Sequence, residues 1–315
     1  MNKIRNLVLK DFETEKHGTL GEVPLSYELA GLPLGRGPVV LVNHALTGNS
    51  SAAGPDGWWA DLIGPGKAIA TEEYTILAFN IPGNCYESVP LPRHDLFTVK
   101  DIARLFILGV ETLGIRKLRA VIGASLGGGI VWQMAVLSPD LAELYLPIAT
   151  HYKADAWLLA QTRVQEILLS GAHPLHDARI HGMLCYRTPE SLDRRFGDDT
   201  TADGTPKIVD WLEFHGRRLE ERFALEAYKV MTYLTGQIHA ADSPEELRPI
   251  ARKVSLISID SDLLFPHALT EDLARAIGAR HYTIHSIHGH DAFLMEYAQL
   301  SEIVKEIFSS TETGT

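Results

Sequence analysis

Five glycine or alanine residues crowd one serine in the stretch VIGASLGGG, which runs from Val121 to Gly129. A serine hydroxyl is a poor nucleophile unless a base takes its proton, so a chain that uses one must also supply that base. Gly123-Ala124-Ser125-Leu126-Gly127 fits the pattern G-x-S-x-G between an apolar strand and a helix. In that setting a sharp turn strains the serine and exposes its hydroxyl, and small neighbours relieve the crowding. The competing reading is a tight turn with an incidental serine. The strand-turn-helix setting favours a nucleophile. Its partners should follow in the order acid, then histidine. LISIDSDLLFP offers Asp260 and Asp262 past a late strand, and IHGHDAF offers His288 and His290 past the last one. Asp262 lies further into its loop and is the expected acid, with Asp260 as the fallback. Gly289 permits an unusual backbone path, so His290 is the expected base, and His285 and His288 are read as strand-end or surface residues.

The remaining requirement is an oxyanion hole. The amide of Leu126 supplies one donor, and the loop NHALTG supplies the second, for which Leu46 is the candidate. His44 in that loop is read as a packing and hydrogen-bonding residue rather than a base. His285, His288, His290 and Asp291 could instead hold a metal. Their spacing fits no helical H-x-x-x-H pattern, so no metal is expected.

These residues need a scaffold. GPVVLVNHALTG and YTILAFNIPG begin as continuous apolar runs, which suit strands buried on both faces of a parallel sheet. TVKDIARLFILGVETLGI spaces Ile102, Leu105, Phe106, Val110 and Leu113 at helical intervals. KLRAVIGA, GGIVWQMAVLSPD and AELYLPIAT continue as strand, helix and strand. The N-terminal third thus alternates strand-like and helix-like segments, and an α/β fold with a mostly parallel, doubly wound sheet is expected. From Asp155 to about Ala241 the chain reads as helical. The sheet pattern returns in KVSLISIDSDLLFP and RHYTIHSI. The expected division is a first core segment over 1–150, a helical cap over 151–245, a second core segment over 246–310 and a flexible tail over 311–315. A helical insertion there would roof the carboxyl ends of the strands, where ligands of such sheets bind.

Composition narrows the partners. The chain has 315 residues, 45% hydrophobic and 22% charged, with a net charge of −11. No dense Lys/Arg run is present, which argues against nucleic acid or an anionic membrane as partner. No apolar stretch is long enough to span a bilayer, and MNKIRNLVLKDFETEKHG lacks the apolar core of a signal peptide. Two cysteines, Cys85 and Cys185, make no disulfide framework, so a cytoplasmic setting is expected. Cys85 is read as a buried small residue.

Several stretches together resemble the homoserine O-acyltransferases of the α/β-hydrolase superfamily, specifically the homoserine O-acetyltransferase branch. They are NHALTGNS, GWWADLIGPGKAIATEEYTILAFNIPG, GASLGG, ARIHGMLCYRTPES, IDSDLLFP and GHDAF, spread over most of the chain. The resemblance implies an α/β-hydrolase fold with an inserted helical cap. It implies an acetyl-CoA co-substrate with no tightly bound cofactor, an L-homoserine acceptor, and an acyl-serine ping-pong scheme in methionine biosynthesis. It also implies a homodimer. Asp291 matches the family position that binds the acceptor ammonium, and Arg179 the arginine associated with its carboxylate, with Arg187 as rival. The chain departs from the family in a trimmed helical segment before Arg179 and in NIPGNCYES, which replaces a glycine-richer segment. A homoserine O-succinyltransferase, or a serine hydrolase or esterase using the same triad, remains the alternative.

Overall fold

In a computed structural model of the chain, residues 4–86, 88 and 90–310 are described. The expected tail over 311–315 lies outside them. The first elements are strands β1 (Arg5–Thr14), β2 (Gly18–Gly31) and β3 (Val39–Asn43), then the short pair β4 (Ile63–Gly64) and β5 (Ile69–Ala70). β6 (Thr75–Phe79), helix α1 (Val99–Thr112), β7 (Leu118–Ala124), α2 (Leu126–Leu137) and β8 (Ala142–Ile148) follow. Five helices come next: α3 (Ala156–Leu168), α4 (Pro174–Tyr186), α5 (Pro189–Phe196), α6 (Lys207–Arg222) and α7 (Leu225–Gly236). The chain then forms a 3-10 run (Pro244–Lys253), β9 (Ser255–Ile259), α8 (His267–Ile277), β10 (Arg280–Ile284), a 3-10 turn (Gly289–Leu294) and α9 (Tyr297–Ser310).

Eight strands form one sheet in the order β1-β2-β6-β3-β7-β8-β9-β10. β6, β3, β7, β8, β9 and β10 run parallel, while β1–β2 and β2–β6 pair antiparallel. The expected doubly wound sheet is therefore present, but the chain opens with a hairpin rather than with strand-helix alternation. The reason is physical. β1 is the edge strand, and with the first half of β2 it buries one face only, so their apolar residues are diluted by exposed ones such as Lys10, Glu13 and Glu22. In the buried parallel strands β3, β6 and β7 every residue is buried, which is why those runs were legible.

Successive residues of a strand face opposite sides of the sheet. Leu41, Leu77 and Val121 accordingly join the core under α1, α2 and α8, while Val40, Val42, Ile76 and Ile122 join the core under α9. α1 starts where it does because Thr98 and Asp101 form a reciprocal capping box. Within the expected helical region, α6 stops at Phe223, whose backbone is extended, and α7 begins after Ala224.

Candidate active site

The turn between β7 and α2 carries Ser125 at φ 56° and ψ −125°, a conformation that is strained for any residue with a side chain. The glycine two residues later has a direct cause. A Cβ on Gly127 would sit 2.3 Å from the Asn43 carbonyl oxygen at the end of β3, so α2 can start against that strand only with no side chain there. The first turn of α2 leaves the Leu126 amide without a backbone partner, as at any helix start. The Leu46 amide in the loop after β3 likewise donates to no partner among the described residues. Leu46 and Ser125 line one cavity, with Gln161, His181, Tyr186 and Leu264 among the other walls.

The loop after β9 brings in Asp262, the expected acid. Asp262 is buried, and its Oδ1 accepts from the amides of Leu264 and Phe265 at 2.8 and 2.9 Å. Its Oδ2 lies 2.7 Å from Nδ1 of the buried His290. A carboxylate can only accept, so Nδ1 carries the proton and the lone pair is on Nε2. The imidazole is packed among Phe265, Tyr186 and Phe293, with ring centroids at 5.4, 5.7 and 5.4 Å. Gly289, at φ 67°, turns the chain toward this pocket, and a Cβ there would meet the Tyr186 carbonyl oxygen at 2.9 Å. Asp260, the fallback acid, points elsewhere: its Oδ2 pairs with Nδ1 of the exposed His285 at 2.9 Å.

Of the two expected acceptor residues, Asp291 adjoins His290 in the chain and Arg179 stands at the Tyr186 ring. Asp291 follows His290, and its environment works in opposite directions. Burial pushes its carboxyl pKa up and sets the net upward direction, with the Asp262 carboxylate adding to the rise, while His290, Arg179 and Arg187 oppose it. The Arg179 guanidinium lies 5.9 Å from the centre of the Tyr186 ring. Arg187, the rival, is committed to a structural role at the end of α4. Its Nε and a terminal nitrogen reach Ser191 Oγ at 3.1 and 2.6 Å, and that terminal nitrogen lies 3.2 Å from His288 Nδ1. His288 is therefore half-buried between the helices and the base loop, not a surface residue. Thr188 adds to this junction: it caps α5 through the Ser191 amide at 3.0 Å and donates to the Ile287 carbonyl.

Tyr186 was not singled out from sequence, although it touches both His290 and the Ser125 cavity. The signal was its position seven residues after Arg179, two helical turns on and hence on the same face. Burial raises its phenol well above the ordinary tyrosine range, with the Tyr228 phenol adding to the rise. Cys85 is half-buried rather than buried, and its backbone stands at φ 57°. Among the described residues no group of three or more His, Cys, Asp or Glu side chains could hold a metal ion.

Comparison with known proteins adds to this geometry. The sequence profile of the alpha/beta hydrolase fold family matches residues 38–296. The homoserine O-acetyltransferase of Salinibacter ruber is 32% identical over 340 residues, covering 95% of this chain and 96% of that protein. That of Symbiobacterium thermophilum is 33% identical over 350 residues, covering 93% of this chain and 90% of that protein. Among solved structures, the homoserine O-acetyltransferase from Staphylococcus aureus superposes with a TM-score of 0.84 at 25% identity, covering 98% of this chain and 95% of that one. Esterase E22 superposes with a TM-score of 0.87 at 18% identity, covering 98% and 100%, a likeness of fold.

Proposed function

The chain belongs to the α/β-hydrolase superfamily and, within it, to the homoserine O-acetyltransferase family, and from that premise we propose that it moves an acetyl group from acetyl-CoA to the hydroxyl of L-homoserine, in methionine biosynthesis. Ser125 Oγ attacks the thioester carbonyl and its proton passes to His290 Nε2. The tetrahedral oxyanion rests on the amides of Leu126 and Leu46. The C–S bond breaks, the CoA sulfur takes the proton, and an acetyl-serine remains. His290 then takes the proton of the homoserine hydroxyl as that oxygen attacks the ester. Collapse expels Ser125 Oγ, which recovers the proton, and O-acetyl-L-homoserine leaves.

The observation that carries the acceptor assignment is the placement of opposite charges beside the base. Asp291 adjoins His290, and Arg179 acts on Asp291 electrostatically. An amino acid needs one anion for its ammonium and one cation for its carboxylate, since burying either charge alone is costly. Asp291 takes the ammonium. Arg179 takes the carboxylate, because Arg187 is already occupied by Ser191 and His288. The cavity at Ser125 supports acetyl over succinyl: no Lys or Arg lines it to meet a second carboxylate.

We read residues 151–245 as a cap between core segments 1–150 and 246–310. The free thiols of Cys85 and Cys185 support a cytoplasmic setting. Exposed apolar residues on α3, Trp157, Leu159 and Ile167, support a homodimer. The deciding experiment incubates purified protein with acetyl-CoA, with and without L-homoserine, and follows CoA release and product mass. Release that requires homoserine, with O-acetylhomoserine formed, is expected. Release independent of homoserine with only acetate formed would make the protein a hydrolase.

A further inference from the structure

His44 stands at the end of β3, fully buried, and the mechanism above leaves it idle. Its ring makes two kinds of contact. Nε2 receives the backbone N–H of Ile81 at 3.0 Å, and Asn84 Nδ2 approaches it at 3.4 Å. A backbone amide can only donate, so Nε2 must be an acceptor and the proton must sit on Nδ1. Nδ1 then donates to the Ala45 carbonyl at 2.9 Å, an oxygen that also accepts the Gly48 amide at 2.9 Å. Burial lowers the His44 pKa to about 4, so the neutral ring persists at neutral pH.

The Ala45 carbonyl and the Leu46 amide belong to one peptide unit. The structure has no cis peptide bond among the described residues, and in a planar trans unit C=O and N–H point in opposite directions. Fixing that carbonyl on the His44 side therefore aims the Leu46 N–H away from His44. Leu46 lines the Ser125 cavity, and its amide is otherwise uncommitted among the described residues. The anchor beneath His44 is itself rigid. Asn84 Nδ2 reaches Asn80 Oδ1 at 3.0 Å, Asn80 Nδ2 reaches Ser50 Oγ at 3.0 Å, and Ser50 donates to the buried Glu28 at 2.8 Å. This network joins the loop after β3 to the loop after β6, so that the orientation of one peptide is set by two neighbouring strands.

We infer that His44 is the positioning residue of the oxyanion hole: through its Nδ1–H it holds the Ala45–Leu46 peptide in the orientation that presents the Leu46 amide to the anion formed on Ser125. The inference rests on the proposed role of Ser125 as nucleophile, but not on the identity of the acceptor.

The test contrasts two polar substitutions. In His44→Asn the amide nitrogen falls where Nδ1 was and can still donate to the Ala45 carbonyl. In His44→Gln the amide reaches the Nε2 position and leaves that carbonyl with the Gly48 amide alone. Burst acylation by p-nitrophenyl acetate reports Ser125 acylation whatever the acceptor. His44→Gln is expected to acylate about tenfold or more slowly than His44→Asn, part of the 10²–10³ that a lost oxyanion donor costs. Affinity for a boronic acid that forms a tetrahedral adduct on Ser125 should fall in the same proportion, with KM nearly unchanged. Thermal melts taken alongside separate this from loss of fold. Equal burst rates and equal boronate affinities in the two folded variants would overturn the assignment, as would a slower Asn variant. A wild-type chain that gives no burst would instead sink the nucleophile reading itself, and the His44 inference with it.

Discussion

Two carboxylate–histidine pairs leave the same loop two residues apart, and they are housed very differently. Asp262–His290 spans 2.7 Å with both side chains almost wholly buried, at 0% and 3% exposure. Asp260–His285 spans 2.9 Å with exposures of 38% and 75%. The distances hardly differ, so distance is not what separates them. Burial does. Inside the protein, field and orientation persist, and two loop amides lock the Asp262 carboxylate. At the surface, water and salt screen the charges, and such a pair contributes at most about 1 kcal/mol. A third histidine, His44, is buried with no carboxylate bonded to it among the described residues, and its tautomer is set by the Ala45 carbonyl and the Ile81 amide.

Substitutions can break this contrast. Asp262→Asn should cost on the order of 10⁴ in the acylation rate, because the amide favours the wrong imidazole tautomer. His290→Ala should abolish both half-reactions. Stopped-flow release of CoA measures each, and a loss below tenfold for Asp262→Asn would make the buried pair a structural feature only. Arg179→Ala comes next. It should weaken use of homoserine by about 10²-fold while acyl-enzyme formation stays near wild type, since the acceptor enters only in the second half-reaction. Equal loss in single-turnover acylation would count against its role.

The buried, carboxylate-free histidine predicts a pH effect. The His44 pKa falls from its ordinary 6.5 to about 4 on folding because burial disfavours the cation. Between those values the unfolded chain binds the extra proton and the folded one does not. Stability should therefore be intact above pH 6.5 and decline as pH falls toward 4, by up to about 1.4 kcal/mol per pH unit from this group. Urea titrations from pH 7 to pH 5 should show a shallower decline in His44→Asn. An unchanged slope would mean that His44 titrates normally.

The smallest effect belongs to the exposed pair. Burial raises the Asp260 pKa, but the Ser286 amide and His285 outweigh it and the net shift is downward. Its stabilisation is present above its ordinary pKa of 3.8 and is lost only as pH falls below that value. Asp260→Asn at neutral pH should leave turnover within about twofold and the melting temperature within about 2 °C. A large loss of activity would reverse the roles of the two acids.

Much of this arrangement could be read from residue order. The buried strands β3, β6 and β7 announce themselves because their positions are almost all apolar or small, with Asn43 and Arg119 as exceptions, and Ser125 stands where the last of them stops. Asp260 and Asp262 both follow the same strand, and only the fold shows that Leu264 and Phe265 turn their amides onto one of them. The β1–β2 hairpin was obscure for a related reason: an edge ribbon exposes half its residues, so its apolar signal is diluted. Arg179 and Arg187 are equivalent as residue types. What divides them is that Ser191 and His288, 97 residues apart in the chain, converge on Arg187.

That convergence limits how the molecule can be rebuilt. Arg187 and Thr188, between α4 and α5, grip His288 and Ile287, two and three residues before His290. On the proposed roles, recognition and proton transfer are thus coupled mechanically, not merely adjacent. A chimera that transplants another helical segment between β8 and β9 to alter the acceptor would also loosen the loop that carries the base. Helix swaps in this scaffold should therefore move both half-reactions together unless the Arg187–Ser191–His288 contact is carried over intact.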